Sequence, residues 1–254
     1  MVNQLPFQGK SGIVTGAASG IGNATAIHLA GMGANLALAD LNHEGLESVA
    51  EKIISIGRTE PLIRTTDISI ENEVSALVQA VIDRFGAIDF LVNSAGILRR
   101  TPFLKIEKRE WDQVINTNLR GQYFLCRDVI PHMKTRGQGV IVNVASLAGR
   151  TCSVLGGAHY TTAKHALVGF TRHLAREFAR DGIRINAFCP GATRTPMFER
   201  DTSSEETERI VNSIPRGVIA DASEHARVIG FLISEESMNI IGACIDSNGG
   251  ALMI

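Results

Sequence analysis

Two residues whose spacing suits proton transfer are Tyr160 and Lys164, which lie four positions apart in a segment with a helical pattern. Residues at i and i+4 project from one face of a helix, so the phenol and the ammonium group are within reach of each other. A phenol with a pKa near ~10 is a poor base at neutral pH, but an adjacent cation favours the phenolate. The pair therefore predicts a tyrosine acid/base that is assisted by a lysine.

A hydroxyl that could hold a substrate oxygen is Ser146, shortly after the apolar run at residues 139–144. This run reads as a buried strand, and its carboxyl end brings the hydroxyl to the edge where open α/β sheets bind ligands. A serine there can donate a hydrogen bond to the oxygen on which charge develops.

A glycine-rich turn follows the first apolar run and opens directly into an amphipathic helix. Its residues are Thr15, Gly16, Ala17, Ala18, Ser19, Gly20, Ile21 and Gly22. Such glycines let the backbone turn tightly and let a pyrophosphate approach the free N–H groups at a helix N-terminus. The pattern predicts a dinucleotide site, with a plain tight turn as the alternative.

Asp40 stands eighteen positions after Gly22, at the end of the second predicted strand. A carboxylate there accepts hydrogen bonds from the adenosine ribose and repels a 2′-phosphate, while Leu41 and Asn42 offer that phosphate no cation. We therefore predict NAD, rather than NADP, as the cofactor. The alternative is that Asp40 only caps the helix that begins near His43.

Two further strand ends supply candidate nucleotide contacts at the same edge of the sheet. The residues that end or follow these strands are Asp67 and Ile68 in one case, and Asn93, Ser94, Ala95 and Gly96 in the other. Asp67 is a candidate partner for the adenine amine, and the small Ala95 and Gly96 leave room for the nucleotide. For each of these residues taken alone, a role in the turn is as good an explanation as a nucleotide contact.

The elements that must position these residues form a regular alternation of short apolar runs and longer amphipathic segments. Strands are predicted at residues 11–15, 35–39, 61–65, 89–92, 139–144, 184–188 and 244–246. Helices are predicted at residues 21–32, 43–56, 71–85, 110–134, 160–180 and 223–234. The rhythm predicts one α/β domain spanning 1–254, a Rossmann-like, doubly wound, parallel seven-stranded sheet with helices on both faces. Residues 191–215 interrupt it and are predicted to form a substrate lid.

In combination, these motifs resemble the short-chain dehydrogenase/reductase superfamily. The resemblance rests on residues 15–22 and 93–96, Ser146, Tyr160 with Lys164, and the Pro190-Gly191 pair, which follow one another at the family's intervals along essentially the whole chain. It implies an NAD-dependent oxidoreductase that moves a hydride between nicotinamide and a carbonyl or alcohol.

The resemblance also implies a role for each site residue. Tyr160 is the general acid/base, Lys164 holds the nicotinamide ribose and lowers the tyrosine pKa, and Ser146 orients the carbonyl. Asn118, 28 residues before Ser146, completes the tetrad and anchors a water relay. Contacts with the nicotinamide carboxamide and the phosphates are implied for Pro190, Gly191, Thr193 and Thr195.

Two stretches depart from the family pattern. Ser94 stands where a second asparagine is usual, a small change that should leave the nucleotide contact intact. Residues 246–250, Asp-Ser-Asn-Gly-Gly, replace the usual Asp-Gly-Gly of the last turn. The family often forms tetramers, and the apolar end at residues 251–254 suits such an interface, so a homotetramer is expected.

The substrate is less constrained than the chemistry. An NAD preference favours oxidation of a polyol, a sugar or a hydroxy acid; the alternatives are a 3-oxoacyl-thioester reductase and, in a different class, a nucleotide-sensing protein without catalysis. Four arginines near predicted loops could face an anionic substrate, or could be ordinary solvated loop charge. They are Arg99, Arg100, Arg150 and Arg194.

Composition excludes several other partners. A formal net charge of -1 gives no basic field for nucleic acid or anionic lipid, and no apolar run approaches the roughly 20 residues that span a bilayer. The four cysteines form no C-x-x-C pair and the histidines no H-x-x-x-H pair, so no metal site is predicted. His159 points about 100° away from Tyr160 and is not assigned to the chemistry, and the other histidines are interpreted as surface residues. A cytosolic protein is expected.

Overall fold

The computed structural model describes residues 5–254, so the first four residues of the predicted domain lie outside the described part. The strands are β1 (Ser11–Thr15), β2 (Asn35–Asp40), β3 (Leu62–Thr65), β4 (Phe90–Asn93), β5 (Gly139–Val144), β6 (Ile183–Pro190), β7 (Thr193–Arg194), β8 (Ala220–Asp221) and β9 (Cys244–Ser247). The helices are α1 (Gly20–Gly31), α2 (His43–Ser55), α3 (Glu71–Phe85), α4 (Lys108–Ile115), α5 (Gly121–Arg136), α6 (Ala158–Phe178), α7 (Pro196–Glu199), α8 (Ser204–Ser213) and α9 (Ala222–Ile233).

Seven of the strands form one parallel sheet in the order β3-β2-β1-β4-β5-β6-β9, and β7 and β8 form a separate parallel pair. The sheet confirms the predicted Rossmann-like architecture, and each predicted strand is present with small shifts at its ends. The strand order reverses between β1 and β4, because the chain crosses from β3 back to the other side of β1. Such a reversal opens a crevice at the carboxyl ends of the two strands.

The sheet is buried because helices cover both of its faces. In β2, Leu36 and Leu38 pack with α1, α2 and α9, whereas Ala37 and Ala39 point to the opposite side, toward α3 and α5. Successive side chains of a strand point to opposite faces, so a strand covered on both sides must be apolar at every position. This explains the continuous Val, Ile and Leu runs of the sequence.

The secondary structure of two segments differs from the prediction. The predicted helix at 110–134 is two helices, α4 and α5, joined by a π-helical turn at Asn116–Arg120. The predicted lid at 191–215 contains α7 and α8, and α8 begins with a capping box in which Ser203 and Glu206 satisfy each other's backbone N–H groups. That this segment moves as a lid, and that 1–254 is one domain, stay predictions.

Residues 5–254 contain neither a candidate membrane-spanning helix nor a candidate metal cluster. Among these residues, no helix is both long and apolar enough to cross a bilayer. In the same range, no three His, Cys, Asp or Glu side chains are grouped so that they could hold a metal ion.

Candidate active site

A large cavity opens at the carboxyl ends of the central strands. Its volume is about 1350 Å³, above the ~300–1,000 Å³ of common ligand pockets, which leaves room for a dinucleotide and a second molecule. All four predicted catalytic residues line it: Asn118, Ser146, Tyr160 and Lys164. Of the predicted cofactor contacts, Gly16, Ser19, Gly20, Ile21, Asp40, Asp67, Ile68, Ala95, Gly96, Pro190, Gly191, Thr193 and Thr195 line it as well.

The glycine-rich turn has the shape that a pyrophosphate requires. Gly16 has φ +65°, and a Cβ there would lie 2.8 Å from the backbone of Ala95, while a Cβ on Gly22 would lie 2.2 Å from the Gly16 carbonyl oxygen. Ser19, which precedes α1, makes no side-chain capping bond, and no acidic residue occupies the first turn of α1. The first turn of α1 therefore offers its free N–H groups without an acidic side chain of its own, and the residues fit a dinucleotide.

The two loops that form this cradle are fastened to each other. The Thr15 hydroxyl oxygen accepts hydrogen bonds from the N–H groups of Ser94 and Ala95, each at 3.2 Å. Since Ser94 uses its backbone here, its replacement of the family's second asparagine leaves this contact in place.

Asn93 and Gly22 do not line the cavity, and their assignment as nucleotide contacts stays a prediction. The Asn93 amide is fully buried and donates to Asn143 Oδ1 at 2.8 Å, and Asn143 in turn donates to Thr171 Oγ1 at 2.9 Å. Asn93 thus fixes β4 to β5 and α6 beneath the site. Gly22 serves by its small size, since any side chain there would displace the Gly16 turn.

Asp40 holds the cradle from the other side. Its Oδ2 accepts a hydrogen bond from the Ala18 N–H at 3.1 Å, and its Oδ1 accepts one from the Asn42 N–H at 3.0 Å. The cap of α2 is a different residue, because the Asn42 side chain accepts from the Gly45 N–H at 3.1 Å. The helix-cap alternative for Asp40 is therefore wrong, and its carboxylate lines the cavity beside Leu41.

Asp67 is positioned by its own loop. Its Oδ1 accepts hydrogen bonds from the Ser69 N–H at 2.9 Å and the Ser69 hydroxyl at 2.7 Å. This Asx-type turn keeps the carboxylate and the neighbouring Ile68 at the cavity wall.

Tyr160 and Lys164 lie in the first turns of α6 and are both buried. The Lys164 Nζ lies 5.7 Å from the centre of the tyrosine ring and donates to the Val144 carbonyl oxygen at 2.8 Å. Ser146 follows β5, and its Oγ accepts from the Ala148 N–H at 3.0 Å, which orients the hydroxyl. Ser146, which precedes Tyr160 by 14 residues and Lys164 by 18, thus meets them at one wall of the cavity.

Burial dominates the protonation of this pair. It raises the pKa of Tyr160, and the neighbouring Ser146 hydroxyl acts in the opposite direction. It also lowers the pKa of Lys164 to about 8. In the protein alone, the expected lowering of the tyrosine pKa by the lysine is outweighed, because the phenol is out of water and the ammonium is directed at the Val144 carbonyl.

Asn118 lies in the π-helical turn between α4 and α5. Its Oδ1 accepts from the Ile97 N–H at 3.2 Å, and its amide donates to the carbonyl oxygens of Ile97 at 2.8 Å and of Val114 at 3.0 Å. These bonds fasten the loop after β4 to the turn. A π turn inserts one extra residue and re-aims the side chains around it, a feature frequent at functional sites.

Local spacing gave no signal for the pairing of His159 with Glu110, 49 residues away. His159 is fully buried, its Nδ1 accepts the Tyr160 N–H at 2.8 Å, and its Nε2 lies 2.7 Å from Glu110 Oε1. Because Nδ1 acts as the acceptor, we assign the ring proton to Nε2 and the donation to Glu110. The pair joins α4 to the start of α6 and so fixes the backbone at Tyr160.

The prediction that the other histidines lie at the surface is wrong for His225, which is almost fully buried on α9. Its Nε2 lies 2.9 Å from Thr193 Oγ1 and its Nδ1 lies 3.1 Å from Ser247 Oγ. His225 thereby connects the cofactor segment after β6 to the last strand. Burial lowers its pKa to about 4, although Glu224 and Asp221 favour the protonated form.

This lowered pKa predicts a pH-dependent stability. A histidine of pKa about 4 in the fold and about 6.5 unfolded contributes fully above pH ~6.5 and loses its contribution, on the order of 3 kcal/mol, as the pH falls to ~4. Denaturant unfolding of wild type and of His225→Gln should show a shallower loss of unfolding free energy in the variant over this range. His165→Gln, at an exposed position, is the control and should match the wild-type slope. Equal slopes for all three proteins would contradict the prediction.

Three of the four loop arginines hydrogen-bond to partners within the chain. The Arg150 guanidinium binds the Asp246 carboxylate through contacts of 3.1 to 3.3 Å, and Arg100 donates to Glu206 at 3.3 Å and also to Thr202 on the lid segment. Arg99 donates to the Leu98 carbonyl oxygen at 3.1 Å. None of the four candidate arginines lines the cavity, so the structure favours loop charge over an anion-binding role.

The divergent last turn is built into the site. The Gly191 N–H donates to the Ser247 carbonyl oxygen at 3.0 Å, and a Cβ on Gly191 would lie 2.8 Å from the Asn248 Cα. The Asn248 amide closes the turn by donating to the Leu252 carbonyl oxygen at 3.1 Å. The altered sequence therefore supports the Pro190-Gly191 segment from behind.

A dinucleotide cradle at the strand-order reversal, with a buried Tyr-Lys pair beside it, defines an oxidoreductase of the nicotinamide-dependent class. The family described as Enoyl-(Acyl carrier protein) reductase matches residues 16–251. The chain belongs to the short-chain dehydrogenase/reductase superfamily, which confirms the resemblance seen in the sequence.

Several relatives are similar over nearly their whole length. A 3-oxoacyl-(acyl-carrier-protein) reductase of Thermotoga maritima is 35% identical over 98% of this chain and 100% of its own. Levodione reductase of Leifsonia aquatica is 36% identical over 96% of this chain and 94% of its own. The crystal structure of a short-chain type dehydrogenase/reductase from Mycobacterium marinum superposes with a TM-score of 0.94 at 27% identity, covering 100% of this chain and 99% of that one.

Proposed function

We propose that this protein is an NAD(H)-dependent dehydrogenase/reductase that interconverts a secondary alcohol and its ketone. The observation that carries the proposal is the meeting of Ser146, Tyr160 and Lys164 at one wall of a cavity whose other wall is the dinucleotide cradle. The similarity to reductases such as levodione reductase supports carbonyl chemistry.

Ser146 and Tyr160 have separate roles in the proposed reaction. In reduction, the Ser146 hydroxyl donates to the substrate oxygen, and Tyr160 transfers its phenolic proton to that oxygen as the hydride reaches the carbonyl carbon. In oxidation, the Tyr160 phenolate takes the same proton back. Bound nicotinamide supplies or accepts the hydride, and Gly16, Gly20 and Asp40 would hold its nucleotide.

Asp40 supports NAD as the particular cofactor, since a carboxylate at the ribose position disfavours a 2′-phosphate. The direct test is turnover followed by the absorbance of reduced nicotinamide, with NAD(H) and NADP(H) run in parallel on alcohols and ketones. We expect turnover with NAD(H) and a several-fold or greater loss with NADP(H). A preference for NADP(H) would overturn the cofactor assignment, whereas nucleotide binding without any turnover would favour the non-catalytic, nucleotide-sensing alternative.

The substrate class favoured by the NAD argument is a polyol, a sugar or a hydroxy acid. A 3-oxoacyl thioester is the alternative, and the relatives named as 3-oxoacyl-(acyl-carrier-protein) reductases support it. Neither the cofactor preference nor the similarity to relatives involves the side chains around the substrate. The residues that line the substrate end of the cavity distinguish these classes more directly.

The pH profile should report the tyrosine. Because burial raises the pKa of Tyr160, the phenolate needed for alcohol oxidation is scarce at neutral pH, and the positive charge of bound oxidised nicotinamide would favour it. We expect kcat/KM for oxidation to rise from pH 6 to pH 9 and the reduction rate to fall at the alkaline end. A flat oxidation profile over this range would exclude a titrating phenol as the base.

A homotetramer is a further proposal. Tyr123 and Phe124 on α5 and Phe170 on α6 form an aromatic group with ring centres 5.4 and 6.5 Å from the Tyr123 ring, and 43% of Tyr123 is exposed. Met253 and Ile254 are also exposed. Light scattering of the purified protein tests this assembly. The cytosolic location stays a prediction from the sequence.

A further inference from the structure

The wall that carries Tyr160 is apolar around the phenol. Tyr160 packs with the buried side chains of Val114 and Ala148, and Ile97 and Leu98 lie against this group. Ile97, Leu98 and Ala148 also line the cavity, so they extend the wall beyond the reacting hydroxyl. A substrate whose oxygen meets Tyr160 must place its carbon skeleton against these side chains.

A second apolar group lines the same cavity and comes mainly from the lid segment. Phe198 on α7 and Ile214 after α8 are buried together with Ile219, and Leu155 and Ile210 pack against them. Phe198, Leu155, Ile210 and Ile214 line the cavity, as does the partly exposed Met197. Both apolar groups line the cavity that holds the Tyr160 hydroxyl, so a substrate bound there meets aliphatic and aromatic side chains.

Two of the polar side chains that line this end are engaged within the chain. Ser153 Oγ accepts from the Gly156 N–H at 2.7 Å, and Ser213 Oγ donates to the Ile210 carbonyl oxygen at 2.7 Å. Of the lining residues in segments 97–98, 147–155 and 192–214, none carries a charge. A polyol or sugar bound here would exchange most of its hydrogen bonds with water for contacts that cannot replace them.

Charged groups near the cavity do not favour an anion. Residues 196–213 of the lid segment carry five acidic side chains and only two basic ones. On α4, the lining residues Lys108 and Asp112 form an exposed pair with each other. Besides the buried Lys164 beside Tyr160, the exposed Arg109 on α4 is the lining cation that remains for a carboxylate or phosphate.

We propose that the natural substrate is an uncharged ketone or secondary alcohol with a mainly apolar skeleton, enclosed between the Tyr160 wall and the lid segment. This inference rests on the proposed oxidoreductase function and narrows its substrate class. It departs from the polyol, sugar and hydroxy acid favoured by the cofactor argument, and from a thioester whose carrier bears phosphate.

The test uses substrates matched in shape. Cyclohexanone and 4-oxocyclohexanecarboxylate share a ring and a ketone but differ in charge; acetoacetyl-CoA and xylitol represent the thioester and the polyol. We expect kcat/KM for the neutral ketone to exceed that for the carboxylate on the order of 100-fold, because an apolar wall cannot replace the hydration of the charge. A preference for the carboxylate, the thioester or the polyol would overturn the proposal.

Two matched variants test whether the lining itself sets this preference. Met197→Arg places a cation at the cavity wall, and Ser204→Arg places the same charge on an exposed residue of α8 outside the lining. We expect Met197→Arg to shift the ratio of kcat/KM toward the carboxylate at least roughly five-fold, and Ser204→Arg to leave the ratio near wild type. Equal shifts in both variants would show a general field effect and contradict selection by the wall. Arg109→Ala completes the set, since a loss confined to the carboxylate would assign anion recognition to Arg109.

Failure of the proposed function can be told apart from failure of this inference. If no compound turns over, the same ketones are titrated into the protein–NADH complex, and binding is followed by the fluorescence of bound NADH. Tighter binding of cyclohexanone than of its carboxylate would uphold the substrate class while overturning catalysis. Tighter binding of the carboxylate would overturn the substrate class.

Discussion

Replacing Tyr160 by phenylalanine should lower kcat by roughly 10²- to 10⁴-fold, the range that general acid–base catalysis supplies, while the Kd for NADH stays within about two-fold. The variant removes only the hydroxyl that exchanges a proton with the substrate oxygen. The ring keeps its contacts with Ala148 and Val114, so the cavity wall should keep its shape. Steady-state kinetics and NADH fluorescence titration measure the two quantities.

The chain offers a matched control for this experiment. The chain's other tyrosine, Tyr123, lies on α5. It is 43% exposed and does not line the cavity. Tyr123→Phe makes the same chemical change and should leave kcat near wild type. Retained activity in Tyr160→Phe would remove Tyr160 as the acid/base, and a loss of NADH binding in parallel would indicate a structural effect instead.

Asp40→Ala should reduce the ratio of kcat/KM for NAD over NADP by roughly 10- to 100-fold, because a charge-assisted hydrogen bond contributes about 1.5–3 kcal/mol and 1.4 kcal/mol is a factor of ten. Two changes add up. The ribose hydroxyls lose their acceptor, and the 2′-phosphate no longer meets a carboxylate.

A second substitution separates these two causes. Asp40→Asn keeps an oxygen acceptor but removes the charge, so it should improve NADP use with a smaller loss for NAD than the alanine variant. Thermal unfolding of both variants shows how much the bonds to the Ala18 and Asn42 N–H groups stabilise the fold. An unchanged cofactor ratio in both variants would restrict Asp40 to fastening the glycine-rich turn.

The pKa values of Tyr160 and Lys164 depend on both the neighbouring charge and burial, and local spacing reveals only the first. Four-residue spacing placed Lys164 beside Tyr160, and the structure confirms that closeness. The protonation of the pair depends on burial, which raises the pKa of Tyr160 and lowers that of Lys164 to about 8. Desolvation depends on which elements close over α6, so the spacing of the pair reveals the effect of the neighbouring charge on the tyrosine pKa but not the opposing effect of burial.

The sequence by itself determined the strands, the glycine-rich turn, Asp40 at the end of β2 and the spacing of Tyr160 and Lys164. These features depend on continuous apolar runs in strands buried on both faces, on backbone freedom at Gly16 and on helix periodicity, which act over a few residues and can be read locally.

Only the tertiary structure decided which side chains meet across long separations. It paired Arg100 with Glu206, 106 residues apart, and Arg150 with Asp246, 96 residues apart, and so withdrew two predicted anion-binding candidates from the cavity. It also buried His225 against Thr193 and closed the space before Tyr160 with apolar side chains. These contacts depend on which distant segments the tertiary fold brings together. Such contacts leave no local pattern in the sequence, so they could not be predicted from it.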